Sequence, residues 1–192
     1  MKDVIILGAS GNIAGHVIDI LVKKDDIDLT LFLRNARRLR NKNVSQCRIV
    51  EGDVLDYTQL KEAVKGQDIV YANLSGDLET MAKNIVKSMH ETGVKKLIFI
   101  SSIGIYDVPM KSVLKPYRKA ADVIEASDLE YTILRPTWFT NADEVDYETT
   151  RKGEPEKGSI VSQKSLATFI ATIIISPEKY IRESLGVNKP NS

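Results

Sequence analysis

Residues 4–22 read VIILGASGNIAGHVIDILV, and this stretch is the most informative part of the chain. Four apolar residues run directly into glycines at positions 8, 11 and 15, and an apolar-rich segment follows. A strand, a glycine turn and a helix in this order are typical of dinucleotide binding. Gly8 allows a sharp turn after the strand, and Gly11 allows the backbone to approach a pyrophosphate. Ala14 or Gly15 allows the helix to lie close to the sheet.

The start of the predicted helix gives a second reason for phosphates to bind here. Its unpaired amides and its partial positive charge favour anions. We therefore predict that the cofactor's phosphates are held by Gly8, Ser10, Gly11, Asn12 and Ile13. Two alternatives stay open: a glycine turn without a ligand, and the similar loop of methyltransferases that bind S-adenosylmethionine. The phosphate loop of nucleotide hydrolases is excluded because no Gly-Lys-Ser/Thr follows.

Length and composition limit the class of protein. The 192 residues suit one domain, and the single Cys47 excludes an internal disulfide and fits a reducing compartment. The 27 Lys and Arg residues nearly balance the 26 Asp and Glu residues, so no global charge attracts nucleic acid or an anionic membrane. His16 and His90 lack spaced partners for a metal site. We expect a cytoplasmic monomer or homodimer that acts on a small molecule, without nucleic-acid or membrane partners.

Short apolar runs alternate with longer amphipathic segments along the whole chain. The predicted strands are 4–7, 29–33, 48–50, 69–72, 97–100 and 131–134, and the predicted helices are 13–23, 57–64, 78–92, 116–126 and 165–175. This alternation predicts an α/β fold with a doubly wound, Rossmann-like parallel sheet in three αβα layers, as a single domain over residues 1–192. We interpret the polar stretch 141–158 as part of a small substrate-side excursion at 137–163.

The residues after the second predicted strand bear on the identity of the cofactor. An NAD site usually has Asp or Glu here for the ribose hydroxyls, whereas an arginine accommodates the 2′-phosphate of NADP. This chain has Arg34, Arg37 and Arg38 within five residues, and no acid. Because Arg34 can offer a planar fork to a phosphate, we predict NADP(H) in preference to NAD(H). For Arg38 and Arg40, a solvated basic loop is the favoured interpretation.

Five motifs in order connect the chain to a known family. They are Gly-Ala-Ser-Gly-Asn-Ile-Ala (8–14), Leu-Arg-Asn (33–35), Gly-Asp-Val-Leu-Asp (52–56), Ile-Ser-Ser-Ile-Gly-Ile-Tyr (100–106) and Tyr-Thr-Ile-Leu-Arg-Pro (131–136). With these motifs the sequence resembles the atypical short-chain dehydrogenase/reductase family, in particular its small NmrA-like, NAD(P)H-binding branch. The resemblance is specific to the family and weaker as a guide to the substrate.

The resemblance implies further cofactor contacts at the carboxyl ends of the later strands, where open α/β sheets bind ligands. The residues implied are Asp53 and Val54 for the adenine; Asn73, Leu74, Ser75 and Gly76 for the ribose; and Ser101 and Pro136 for the nicotinamide. Purely structural alternatives are that Asp53 caps the next helix and that Pro136 only ends a strand.

The catalytic pair of classical family members is absent from the segment 116–122, where the family carries it. Those members carry Tyr-x-x-x-Lys on one helical face, where the lysine lowers the pKa of the tyrosine. Four residues after Tyr117 stands Ala121, and Lys119 is only two positions on. The candidate catalytic residues are therefore Ser102, paired with Tyr117 or Tyr106 as proton donor, and Lys119, which either reaches the ribose or is solvated.

Together these observations predict an NADP(H)-binding oxidoreductase that transfers hydride to a small organic acceptor, namely a carbonyl, a quinone or a flavin. The alternative is a non-catalytic NADP(H)-binding redox sensor that regulates a partner. The missing lysine keeps both hypotheses open, because a sensor needs only the cofactor site.

Overall fold

Strands and helices alternate along the computed structural model, which describes residues 1–40 and 43–192. The strands are β1 Lys2–Leu7, β2 Ile27–Leu33, β3 Arg48–Glu51, β4 Ile69–Ala72, β5 Lys96–Ile100, β6 Glu130–Pro136, β7 Trp138–Thr140, β8 Glu148–Arg151, β9 Ile160–Ser162 and β10 Glu183–Asn188. The α-helices are α1 Asn12–Leu21, α2 Tyr57–Val64, α3 Leu78–Thr92, α4 Lys115–Glu125 and α5 Gln163–Ile175. All predicted strands and helices are confirmed, with ends shifted by at most two residues.

The main sheet has the strand order β3-β2-β1-β4-β5-β6-β10-β8. All neighbouring pairs from β3 to β10 are parallel, and β8 is antiparallel to β10 at the edge. The order reverses direction at β1, which places the topological switch point between β1 and β4. The predicted doubly wound parallel sheet is confirmed.

Helices cover both faces of this sheet, which explains why the central strands are apolar throughout. Alternate residues of β1 belong to two different cores. Val4 and Ile6 pack with the residues of α1 and α5, whereas Ile5 and Leu7 pack with those of α2, α3 and α4. The result is the three-layer αβα arrangement. Among the helices of the described residues, none is long and apolar enough to cross a membrane.

The segment predicted as an excursion contains three short strands. β7 and β9 form a separate parallel pair beyond the carboxyl end of β6, with Trp138 opposite Ile160. Between them the chain returns to the main sheet as β8, whose polar sequence suits an edge strand. The part of the excursion nearest the cofactor edge is therefore β7 with β9.

A buried ion pair fastens the excursion to the sheet. Arg135 of β6 has a side chain only 3% exposed, and it pairs with Glu156, which is 21% exposed. The second carboxylate oxygen of Glu156 accepts a hydrogen bond from Thr150 Oγ1 at 3.0 Å. The guanidinium carbon of Arg135 also lies 5.2 Å from the centre of the Tyr106 ring. Because Arg135 is buried, its charge depends on these partners.

We predict that Glu156→Ala lowers the free energy of unfolding by about 3 kcal/mol, because it leaves the Arg135 charge buried and unpaired. Denaturant titration measures the effect. Glu62→Ala, an exposed change on α2, is the control and is expected to stay within about 0.5 kcal/mol of the wild type. A Glu156 variant as stable as the control would contradict the assigned role of the pair.

Candidate functional site

A groove of about 230 Å³ lies at the carboxyl ends of β1, β2, β3 and β4. Nine of the residues predicted to bind the cofactor line it, namely Gly8, Ser10, Gly11, Arg34, Asp53, Val54, Asn73, Leu74 and Ser75. Residues that were not predicted also line it, namely Phe32, Leu33, Asn35, Arg38, Gly52 and Met81. The four strand ends converge because parallel strands finish at the same edge of the sheet.

The glycine loop forms one wall of the groove and fits tightly against Asn73. Gly8 has φ +81°, and a Cβ atom there would collide with the Asn73 carbonyl oxygen. A Cβ atom on Gly11 would collide with the Asn73 side-chain amide. The backbone amide of Asn73 donates a hydrogen bond to the Leu7 carbonyl oxygen at 2.9 Å, and this bond fixes the close approach. Neither glycine can therefore be replaced without moving Asn73.

Helix α1 begins directly at this loop and has no side-chain cap. Its N-cap is Gly11, which offers no side-chain acceptor. The first amides of α1 thus point to the loop surface without a competing internal acceptor. A loop kept open by glycines at the uncapped start of a helix fits the pyrophosphate of a dinucleotide.

The segment after β2 supplies the positive charge of the groove. Arg34 and Arg38 are exposed on its wall, and neither forms an ion pair with a carboxylate in the described part of the chain. Arg40 donates from Nη1 to Asn12 Oδ1 at 3.3 Å. Arg38 and Arg40 are both exposed, as expected for a solvated loop, and Arg38 in addition lines the groove.

The opposite wall is formed by the residues after β3. Gly52 lies against the Phe32 ring, where an added Cβ atom would come within 2.6 Å of the ring. Asp53 accepts a hydrogen bond from the Leu55 amide at 3.0 Å. Helix α2 is instead capped by Asp56, so the alternative that Asp53 is the cap is wrong. Among the described residues that line the groove, Asp53 is the one acid.

Several predicted cofactor residues lie outside the groove lining. Ile13 is buried in the core, so only its backbone can face a ligand. Gly76, with φ +110°, leads into Asp77, which caps α3. Ser101 and Pro136 are buried at the ends of the next strands, β5 and β6. The Ser101 hydroxyl oxygen is buried without a hydrogen-bond partner among the described residues.

The three candidate catalytic side chains do not form a connected group. Ser102 is half-buried and donates to the Ile103 carbonyl oxygen at 3.2 Å. Tyr117 is half-buried and packs on the core beneath α4. Lys119 is exposed and pairs with Glu79 of α3 at 2.8 Å. Within the described residues, no hydrogen bond joins any two of the three.

Lys119 and Tyr106, the alternative proton donor, each interact with a glutamate and not with another candidate catalytic residue. The contact with Glu79 raises the pKa of Lys119, and Lys119 with Lys83 lowers the pKa of Glu79 to about 2. The Tyr106 hydroxyl lies 2.7 Å from Glu125 Oε1 and donates to it. Burial in particular raises the pKa of Tyr106, which makes this phenol a weaker acid than usual. The Tyr106 hydroxyl is thus engaged in its hydrogen bond to Glu125.

Curated relatives of the chain are plant reductases. It is 31% identical over 156 residues to phenylcoumaran benzylic ether reductase PT1 of Pinus taeda, an alignment that covers 71% of this chain and 49% of that protein. It is 22% identical over 218 residues to isoflavone reductase homolog A622 of Nicotiana tabacum, covering 97% and 68%. The chain thus spans about half to two thirds of the length of these relatives.

Solved structures match over the whole chain. A Rossmann-fold NAD(P)-binding family protein from Shigella flexneri is 50% identical, with a TM-score of 0.94 and coverage of 100% of this chain and 95% of that one. A short-chain dehydrogenase/reductase from Veillonella parvula, solved in complex with NADP, is 26% identical, with a TM-score of 0.90 and coverage of 99% and 95%.

The contact between Gly8 and Asn73 predicts unequal costs for two glycine substitutions. Gly66 has nearly the same φ as Gly8, +80°, but nothing within 4 Å of an added Cβ atom. Gly66→Ala should therefore cost about 1–2 kcal/mol of stability through backbone strain alone. Gly8→Ala should cost about 3 kcal/mol or more, because a backbone clash adds to the same strain. Equal losses in denaturant titrations would contradict the tight fit of the loop.

A family model described as NAD(P)H-binding matches residues 8–177, most of the chain. The match begins at Gly8, the first glycine of the loop, and extends past α5. Together with the reductase relatives, it confirms the resemblance to the atypical short-chain dehydrogenase/reductases. The chain therefore belongs to the NAD(P)H-binding family of Rossmann-fold oxidoreductases.

Proposed function

We propose that the protein is an NADP(H)-dependent reductase that transfers hydride to a small organic acceptor. The observation that carries the proposal is the placement of Arg34 and Arg38 on the groove wall without carboxylate partners among the described residues. Unpaired guanidinium groups at the end of β2 suit the 2′-phosphate that distinguishes NADP from NAD. The NADP complex of the Veillonella parvula relative supports the same cofactor.

The rest of the groove supports a matching role for each part of the cofactor. The glycine loop and the start of α1 would hold the pyrophosphate, and Asp53 with Val54 would border the adenine. The segment 73–76 would lie beside the ribose. Ser101 and Pro136 would border the nicotinamide, which supplies the hydride when NADPH is bound.

The acceptor side carries exposed apolar side chains. Trp138 is 78% exposed and Phe139 is 46% exposed, and both lie on β7, which begins two residues after Pro136. Ile160 lies opposite Trp138 on β9 and is also exposed. An acceptor with a flat apolar portion would remove this surface from water, which favours binding.

The absence of a Tyr-x-x-x-Lys pair at Tyr117 on α4 narrows the class of acceptor. Reduction of a carbonyl produces a strongly basic alkoxide, which needs a positioned acid. Reduction of a quinone or a flavin produces a much weaker base, for which water or Ser102 suffices. Because Lys119 pairs with Glu79, we favour quinones and flavins over aldehydes as acceptors.

The second candidate function is a redox sensor that binds NADP(H) without turnover. The Lys119–Glu79 pair favours it, because that lysine is engaged outside the groove. NADPH oxidation measured with flavins, quinones and aldehydes separates the two functions. Oxidation by at least one acceptor class supports the reductase, and tight NADPH binding without any oxidation supports the sensor.

We predict that Arg34→Ala weakens NADPH binding about 10- to 100-fold, the cost of losing a charge-assisted phosphate contact. Its NADH affinity should change little, because NADH has no 2′-phosphate. Titration calorimetry with both cofactors measures the two constants. Arg37→Ala is the matched control, because Arg37 belongs to the same turn but does not line the groove. Equal NADPH and NADH affinities of the wild-type protein would overturn the proposed preference.

We predict that Trp138→Ala raises the KM for apolar acceptors about 10-fold, because it removes a large apolar contact surface. The dissociation constant of NADPH should stay unchanged. Steady-state kinetics and a binding titration test both statements. Ile181→Ala, two residues before β10 and exposed, is the control for losing a surface apolar side chain. An unchanged KM in the Trp138 variant would exclude this surface as the acceptor platform.

A further inference from the structure

Glu51 is an acid that lies close to the arginine segment without lining the groove. It ends the edge strand β3 and is paired in register with Leu33, the residue before Arg34. Its Oε1 atom accepts a hydrogen bond from the Ala36 amide at 2.6 Å. The carboxylate therefore binds the first residue of the short 3-10 turn Ala36–Arg38.

This bond completes the hydrogen bonding of the turn. The Arg37 amide donates to Asn35 Oδ1 at 3.0 Å, and the Arg38 amide donates to the Asn35 carbonyl oxygen at 3.0 Å. The Leu39 amide donates to the Ala36 carbonyl oxygen at 3.0 Å. These three bonds join residues of the turn to one another. The bond to Glu51 is the one of the four that ties the turn to the sheet.

The arginines that the turn carries are left without carboxylate partners. Arg34 and Arg38 line the groove on either side of Ala36, and Glu51 forms no ion pair with them in the described part of the chain. The negative charge of Glu51 is thus directed at a backbone amide and not at a guanidinium group. A fixed turn presents both arginines with less entropy to lose when an anion binds.

From this geometry we infer that Glu51 is a positioning residue that sets the preference for the 2′-phosphorylated cofactor by holding the Arg34–Arg38 segment against the sheet. The inference rests on the proposed preference for NADP(H). It assigns a favourable role to an acid that, by charge alone, would repel the 2′-phosphate.

Two variants separate the hydrogen bond from the charge. Glu51→Gln keeps a side-chain oxygen that can accept from the Ala36 amide and removes the negative charge. Glu51→Ala removes both. If the hydrogen bond to the Ala36 amide fixes the turn, only the alanine variant releases the turn. If only the charge of Glu51 matters, both variants remove the same repulsion between Glu51 and the 2′-phosphate.

The test measures the affinities of NADPH and NADH for the wild-type protein and both variants by titration calorimetry. We expect Glu51→Ala to lower the NADPH-to-NADH affinity ratio about 3- to 10-fold, the range for one lost hydrogen bond. Glu51→Gln should leave the ratio unchanged or raise it, and the NADH affinity should stay constant in all three proteins. An equal rise of the ratio in both variants, or no change in either, overturns the inference.

Amide hydrogen exchange provides a readout that does not depend on the cofactor. The Ala36 amide should exchange faster in Glu51→Ala than in the wild type, and at a near wild-type rate in Glu51→Gln. Equal exchange rates of the Ala36 amide in all three proteins would contradict the role of Glu51 in fixing the turn. A wild-type protein that binds NADPH and NADH equally would instead show that the proposed cofactor preference itself is wrong. The two failures are therefore distinguishable.

Discussion

The close approach of the glycine loop to Asn73 is the constraint on which the site depends. β1 and β4 are neighbours at the switch point, and the Asn73 amide is bonded to the last residue of β1. A side chain at position 8 would collide with the Asn73 backbone, and one at position 11 would collide with the Asn73 side chain. Because the glycines have none, the ends of β1 and β4 and the loop that leads into α1 can lie close together.

Charge in the groove is organised by hydrogen bonds to the backbone. Glu51 and Asp53 at the end of β3 each accept a hydrogen bond from a backbone amide, Glu51 from Ala36 and Asp53 from Leu55. Arg34 and Arg38 are thereby left to face a ligand. The chain as a whole carries a formal charge of only +1, so the positive charge at the groove comes from this local arrangement and not from a global excess.

Short apolar runs and the glycine spacing are sufficient to predict strands β1 to β6 and the position of the groove. The edge formed by β8 and its neighbour β10 is different, because β8 has no apolar residue and β10 has only Leu185 and Val187. Two alternating apolar residues are too few to predict a strand. Contacts between side chains distant in sequence also leave no local signal. The fit of Gly52 against Phe32 and the pair of Lys119 with Glu79 became visible only when the neighbouring elements were in place.

Strand β6 stabilises the fold through Arg135, and the chain that follows it leads to the proposed acceptor surface. Arg135 anchors the strand to Glu156 and Tyr106 on the side of α4, so the polar groups there serve the fold. The chain then passes through Pro136 to the exposed ring of Trp138. The proposed acceptor surface of Trp138, Phe139 and Ile160 is therefore mainly apolar. A surface of this kind orients a flat acceptor but supplies little acid, which suits acceptors whose reduced form is a weak base.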